Sequence, residues 1–486
     1  MLWSWLSIAA TAALSVTATS VSEQLGVSMD INVDAIDSTI WENVHYYRNV
    51  DLSGPYIKEF DLIEAKNTSP EPQDTYVFTI NDGFDSVPNI SYIGVTVMDL
   101  KLELYPFKLG QGIYAIKFTA PIAPGSTVEF KTRYAYTNTL VPFPEKINMD
   151  ESQSLLAKIN KYAYSPYVIS DYSLAFTGFP KAQEMELQFT NVTVSPNLPA
   201  LKGRVESEAL VYGPVVSTIQ PYAVVPMGLL YDHARPLTRV INLERSFWLP
   251  GSGVDVVLTE EYYELTNNGA QLKSGYSRGD WMKGRYDLIR EHFAISQLEF
   301  PENPAATFED YYITDKVGKV SSHHPAQGHI IMQPRFPLFG GWKYNFTLGW
   351  SNKMEHFVHT MHNDDNVYIA KFPMLNGLRE IYYDDVYLNF YLPEGSEFIS
   401  FHAPVVSEDV TVGAEASYLD VSDGHVKVRV HFRNLCDSLS LLDVYVKYRY
   451  SASSYRYKLL KIAGFVFTGL ASYYALGLLN LSIEQN

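Results

Sequence analysis

A recurring alternation of apolar and polar residues constrains this chain more than any other feature. Val426, Val428, Val430 and Phe432 interleave with Lys427, Arg429, His431 and Arg433, and Asp423-Gly424 just before them marks a hairpin turn. A period of two puts the apolar set on one face of a strand and the charged set on the other. Val128, Phe130, Tyr134 and Tyr136 alternate likewise with Glu129, Lys131, Arg133 and Ala135, after a Pro124-Gly125 turn. Met185, Leu187 and Phe189 alternate with Glu184, Glu186 and Gln188, and Leu442 to Tyr450 repeats the pattern. These segments predict antiparallel sheets with one wet face. The 36 tyrosines and 25 phenylalanines agree, because aromatic rings pack well on a pleated surface.

The two ends of the chain obey a different rule. Met1 to Ser20 lacks acidic residues and carries an apolar stretch from Leu6 to Val16 that ends in small residues, the pattern of a secretory signal peptide. Ile462 to Leu481 gives about twenty residues without a charge, long enough to cross a bilayer as a helix. A cleaved signal followed by one stop-transfer helix predicts a single-pass type I membrane protein, with residues 482–486 as a short cytosolic tail. Arg449, Arg456, Lys458 and Lys461 precede the helix, the reverse of the positive-inside bias, but large domains translocate largely regardless of charge. Gly464, Thr468 and Ser472 recur every fourth residue, a stripe that lets a second helix approach closely.

Between the ends the expected architecture is two β-rich, sandwich-like domains at 21–235 and 236–455, divided near the prolines of 221–236, with a few short helices. Asp150 is placed to cap a short helix with Gln153 reaching back and Leu155, Leu156 and Ile159 on one face. Met282, Tyr286, Ile289 and Phe293 also follow helical spacing. No repeat at a short fixed period occurs, although two similar β-domains in tandem would escape such a scan.

Composition removes several functions. With 37 Lys plus Arg against 54 Asp plus Glu, a net charge of −17 and no basic run, the chain lacks the footprint of a nucleic-acid binder. The single cysteine, Cys436, forbids an intramolecular disulfide and any multi-cysteine metal site. That also counts against an adhesion receptor of stacked sandwiches, since such modules commonly rely on disulfides.

Gly275-Tyr-Ser277-Arg-Gly279 fits the G-x-S-x-G elbow of serine hydrolases, but the residues before it are polar and loop-like, so a Gly-rich loop is the better reading. A membrane-tethered hydrolase using Ser277 stands as the alternative. His356, His359 and His362 beside Asp364 and Asp365 invite a metal, yet their spacing does not converge on one helical face, and Asn363 to Asn366 reads as a loop tip. Pro325 after His323-His324 argues for a turn. No catalytic residue, cofactor-binding site or metal ligand is assigned. N-x-S/T triplets make Asn191, Asn345, Asn89 and Asn67 candidate glycosylation sites, Asn67 weakened by the following Pro70. Asn480 has the triplet inside the membrane helix.

Several longer segments resemble the ribophorin I family. They are Trp41-Glu-Asn-Val-His-Tyr-Tyr-Arg48, Pro142-Phe-Pro-Glu-Lys-Ile-Asn-Met-Asp150, and Trp248 to Met282 with its Thr259-Glu-Glu-Tyr-Tyr-Glu-Leu-Thr-Asn267. Most specific is the block from Pro334 to Trp350, PRFPLFGGWKYNFTLGW, and Tyr383-Asp-Asp-Val386 with Leu392-Pro-Glu-Gly395 continues it. The resemblance implies a non-catalytic subunit of the endoplasmic reticulum oligosaccharyltransferase, which moves a preassembled oligosaccharide from dolichol diphosphate to asparagine in N-x-S/T acceptors. It implies two lumenal β-rich domains, other subunits including the catalytic one as partners, and contact with the translocon and nascent chains. Animal members extend well into the cytosol, whereas this sequence stops at Asn486 and is similar to the short fungal form. Pro334 to Trp350 is a candidate for contact with a partner or, equally, a determinant of the fold.

Overall fold

The computed structural model describes residues 36–478 except 83–86, 186–193, 252, 285–291, 303–306, 363, 417–419 and 422–423. The expected signal peptide, the short tail, Asn191 and Asn480 lie outside the described residues.

The N-terminal half contributes eight strands to one sheet: β1 (Trp41–Asp51), β2 (Ile57–Asn67), β3 (Ile90–Val97), β4 (Leu102–Leu104), β5 (Thr127–Tyr136), β6 (Val168–Thr177), β7 (Gly203–Glu206) and β8 (Ala209–Ile219). Their order across the sheet is β7-β8-β6-β1-β2-β5-β3-β4. The C-terminal half supplies β9 (Thr238–Trp248), β10 (Val256–Asn267), β11 (Glu309–Asp315), β12 (Gly318–Lys319), β13 (Lys343–Lys353), β14 (Ile381–Leu392), β15 (Asp409–Glu415) and β16 (His425–Cys436). These lie in the order β15-β16-β14-β9-β10-β13-β11-β12, which is the first order with eight added to every label. Neighbours run antiparallel except β1 with β6 and β9 with β14, so each sheet is mixed where the alternation predicted purely antiparallel pairing.

The smaller sheets repeat as well. Gln73–Thr79, Ile113–Ile122 and Phe107–Gly110 form a three-stranded sheet in the first half, matched by Leu298–Pro301, His329–Met332 and His323–Ala326 in the second. Each half also has a four-stranded sheet, Ala182–Met185, Pro226–Asp232, Ser154–Asn160 and Val141–Pro142 against Glu397–His402, Asp443–Arg449, Asp364–Pro373 and Val358–Met361. One topology is used twice in tandem.

Register extends the match to single residues. Arg48 is the eighth residue of β1 and lies opposite Asp61, while Arg245 is the eighth residue of β9 and lies opposite Glu261. Both strands carry a bulge near their start, at Asn43/His45 and at Val240/Asn242. β2 and β10 end in Asn67 and Asn267, both fully buried. Each amide donates to two loop carbonyls, Glu71 and Ile122 for Asn67, Phe293 and Leu338 for Asn267. Each side-chain oxygen accepts the N–H two residues on, a turn that stops the strand.

Every half has its own apolar cluster between these sheets. Tyr56 and Ala135 of the first half belong to the cluster of the second, so the cores meet. Gln153 sits at that meeting. Its Nε2 donates to the His233 and Arg235 carbonyls of the connection, and its Oε1 accepts from Ala270 N–H of the second half. Lys146–Ile147 pairs in parallel with Gln271–Leu272, and Asn138 donates to Asp384.

Two local expectations are corrected. The segment after Asp150 is a strand, Ser154–Asn160, because Leu155, Ala157 and Ile159 are buried with a period of two, and Glu151 rather than Gln153 reaches back, to Asn148. Of the second expected helix, α1 spans Arg278–Gly284 and holds Met282; Tyr286 and Ile289 lie outside the described residues, and Phe293 is buried against Phe339. Pro325 lies inside the edge strand His323–Ala326, where its missing N–H costs no ladder bond, rather than in a turn. The C-terminal helix, α2, runs from Ala452 to Leu478, ten residues earlier than the charge-free run. It is long and apolar enough to cross a membrane, and none of its side chains is buried in this chain.

Candidate functional site

Two buried ionic clusters hold the sheets, one in each half. Arg48 donates to both oxygens of Glu59 at 2.7 and 3.0 Å, to Asp82 at 2.7 Å and to the Asn160 carbonyl. Asn81 donates to Glu59 at 2.7 Å, Tyr134 donates to Glu59, and Tyr136 donates to Asp82. Asp61 completes the cluster, accepting from Tyr46, Asn81 and Thr132. Burial, reinforced by the Glu59 charge, holds the Asp61 carboxyl well above the usual carboxylate range, and burial also raises Asp82 against the pull of Arg48. In the second half Arg245 faces Glu261 at 2.6 Å as its one acid among the described residues, with Tyr263 and Asn376 donating to the same carboxylate. Arg48, Glu59, Asp61, Asp82, Arg245 and Glu261 are at most 4% exposed. No substrate reaches them, so their work is to fix strand register.

The sequence-derived candidates separate under the same scrutiny. Ser277 precedes α1, and its Oγ accepts from Asp280 N–H at 3.3 Å while its carbonyl accepts from Trp281. A hydroxyl in that position caps a helix, and among the described residues no base bonds to it. The nearby imidazole of His292 lies within hydrogen-bond distance of the Met149 carbonyl and of the Ala294 N–H. The serine hydrolase reading is not supported. His356, His359 and His362 do not converge, and no metal-holding cluster occurs among the described residues. Of the loop tip expected at Asn363 to Asn366, residues 364–366 belong to the strand Asp364–Pro373, and Asn363 lies outside the described residues.

Asn67 lies in an acceptor triplet, but its amide is buried and both its hydrogens are donated, so a glycan does not fit there. Asn345 is half-buried on the outer face of β13, and its amide donates to the Tyr262 hydroxyl at 3.0 Å. Asn89 lies in the turn before β3, with its carbonyl accepting from Thr137 N–H. Gly464, Thr468 and Ser472 are exposed on α2, where Thr468 donates to the Gly464 carbonyl.

Pro334 to Trp350 is mostly internal. Leu338 and Phe339 are fully buried, and a Cβ on Gly340 would meet the Gly269 carbonyl at 2.2 Å. Only Phe336 of its large apolar side chains is strongly exposed, at 39%. The block is chiefly a fold determinant.

A surface feature escaped the sequence reading. Tyr47, Asn49, Phe60, Leu62, Met98 and Lys131 line a shallow groove of about 380 Å³ on the outer face of β1, β2 and β5. The signal was present: Ile57, Glu59, Asp61, Ile63 and Ala65 point inward along β2, so Phe60 and Leu62 are apolar residues in the wet phase of an alternating strand.

The start of α2 is fixed to the second half. Lys458 is 2.7 Å from Glu394 and 3.4 Å from Asp420, and Tyr455 packs on the core of that half. The helix therefore leaves the β-structure in a set direction.

The family model for ribophorin I matches residues 41–477. Among curated proteins, the chain is 25% identical to dolichyl-diphosphooligosaccharide–protein glycosyltransferase subunit 1 of Schizosaccharomyces pombe, over 86% of this chain and 90% of that one. The Caenorhabditis elegans protein of the same name is 24% identical over 79% of this chain and 63% of its own length. Subunit 1B of Arabidopsis thaliana is 25% identical over 78% and 80%. The match begins at Trp41, the first residue of β1, and ends one residue before the end of α2, taking in both copies of the repeat. The chain belongs to the ribophorin I family.

Proposed function

We propose that the chain is a non-catalytic accessory subunit of an oligosaccharyltransferase complex, serving protein N-glycosylation in the endoplasmic reticulum membrane. The observation that carries this is the family match across both repeats and the membrane helix, with relatives named as subunit 1 of that enzyme. In this reading residues 21–235 and 236–455 are two lumenal domains, with the change-over in the connection 233–237 that Gln153 holds. α2 spans the membrane in type I orientation, and Gly464, Thr468 and Ser472 meet a neighbouring helix. Partners are the catalytic subunit, other subunits, the translocon and nascent polypeptide. Asn345 and Asn89 carry glycans.

Both ionic clusters are sealed and Ser277 caps a helix, which supports assembly and presentation rather than chemistry as the role of this chain. Affinity purification in mild detergent tests the reading. The catalytic oligosaccharyltransferase subunit is expected in equal amount, and its absence would sink the proposal.

A further inference from the structure

The repeat provides an internal control for every surface position. Across β1, β2 and β5, Tyr47 pairs with Leu62 and Leu62 with Lys131. The same row across β9, β10 and β13 reads Glu244, Tyr262 and Thr347. One step along, Asn49, Phe60 and Arg133 correspond to Ser246, Glu260 and Gly349. The next strand differs too, since Arg133 faces Gly94 on β3 whereas Gly349 faces Tyr312 on β11.

That exchange decides what covers the sheet. In the second half the Tyr312 ring lies over Gly349, where a Cβ would meet it at 2.3 Å, and its hydroxyl donates to Glu260. The second half thus fills its own outer face with a tyrosine and an acid. In the first half glycine stands where that tyrosine would be, and Tyr47 and Phe60 stand where the second half has Glu244 and Glu260. Tyr47 remains 42% exposed and Met98 40%. The Lys131 ammonium rests 4.8 Å from the Phe60 ring centroid and has no carboxylate within 4 Å among the described residues.

We infer that this groove is a docking site for a protein segment of another subunit, one that inserts apolar side chains beside a carboxylate that pairs with Lys131. Charge selects the occupant. On a chain of net charge −17 the groove offers an ammonium without a carboxylate partner among the described residues, beside Tyr47 and Phe60, which the sister repeat replaces with glutamates. Apolar anchors desolvated around one charge are how interfaces concentrate binding energy. The inference rests on the reading of the chain as one subunit of a larger complex.

The test installs the second half's residues in the first. In the full-length chain, Tyr47→Glu with Phe60→Glu should lower the recovery of one co-purifying subunit by roughly tenfold or more, the scale of losing interface anchors. Lys131→Glu alone should weaken the same subunit's retention, and Glu244→Gln should leave it unchanged. A photoactivatable phenylalanine at position 60 should form its adduct with that subunit. Full recovery of every subunit from the double variant overturns the inference, as does an adduct with lipid or no adduct at all. If the unsubstituted chain brings down no other subunit, the proposed function fails instead.

Discussion

The two halves share strand order and bulge position, yet their buried charges are arranged differently. Three carboxylates, Glu59, Asp61 and Asp82, crowd around Arg48, whereas Arg245 answers one, Glu261, among the described residues. Each arginine stands at the same place on the parallel-paired central strand. The duplicated scaffold thus needs a cation there, while the number of acids around it is free to vary. The difference teaches that the scaffold fixes the place of the arginine but not of its acid: Glu261 lies opposite Arg245, whereas Arg48 pairs with Glu59, two residues from the opposing Asp61, and carries additional acids in the first half alone.

Removing the cation is the strongest way to break the comparison. Arg48→Met leaves two buried carboxylates, Glu59 and Asp82, without their partner, and Arg245→Met leaves one. Breaking a buried pair on one side costs about 3–5 kcal/mol, and Arg48→Met should reach the upper end or prevent folding. Chemical unfolding of the full-length chain in mild detergent, read by hydrogen exchange in each half, should show the larger loss in residues 41–219 for Arg48→Met. Equal losses from the two substitutions would remove the distinction.

The next largest effect concerns how the halves communicate. Gln153→Ala leaves Ala270 N–H and two connection carbonyls without their partner, and one unsatisfied buried group costs about 1–3 kcal/mol. The loss should appear as decoupling, with a single unfolding transition splitting into two. A unified transition at lower denaturant would instead mean that the Tyr56 contacts with Asp437 and Ser438 suffice to couple the cores.

Acidity sharpens the same contrast. The folded first half keeps on Asp61 a proton that the unfolded chain sheds near its ordinary pKa of 3.8, because burial and then the Glu59 charge raise the folded value. Where the native state binds more protons, stability falls as pH rises. This contribution is therefore fully present below pH 3.8 and is lost as pH climbs through the raised folded value. Asp61→Asn, which mimics the protonated acid, should flatten the pH dependence of exchange in β1 and β2. An unchanged slope would show that the proton resides elsewhere in the cluster.

Much of this fold was legible, and the gaps have physical causes. The strands at Val128 to Tyr136 and Val426 to Phe432 were readable because one face is wet, and the membrane helix because lipid tolerates no charge. The duplication was invisible because it conserves register and hydrogen bonding more than residue type: Leu62 corresponds to Tyr262 and Lys131 to Thr347. Arg48 and Arg245 were missed because each strand carries a bulge that shifts the alternation, so counting by twos from the strand's start assigns them to the wrong face. Ser154–Asn160 reads as a helix because Leu155, Leu156 and Ile159 share a helical face, whereas pairing with Pro226–Asp232 selects a strand that buries Leu155, Ala157 and Ile159. Of the candidate sites, triplet patterns located Asn67 and Asn345 but carried no information on burial.

Those two asparagines give the smallest expected effect and a clean separation of roles. Asn67 and Asn267 are equivalent strand stops, and only Asn67 happens to sit in an acceptor triplet. Asn67→Ser should leave the number of glycans unchanged, read as mobility before and after glycosidase, while lowering stability by about 1–3 kcal/mol through the two abandoned carbonyls. Asn345→Gln should do the reverse, removing one glycan and changing stability by no more than about 0.5 kcal/mol, as expected for a half-buried outer-face position. Loss of a glycan from the Asn67 variant would mean that the acceptor is modified before the strand-ending turn forms. The matching pair of buried asparagines would then be a feature of one half only.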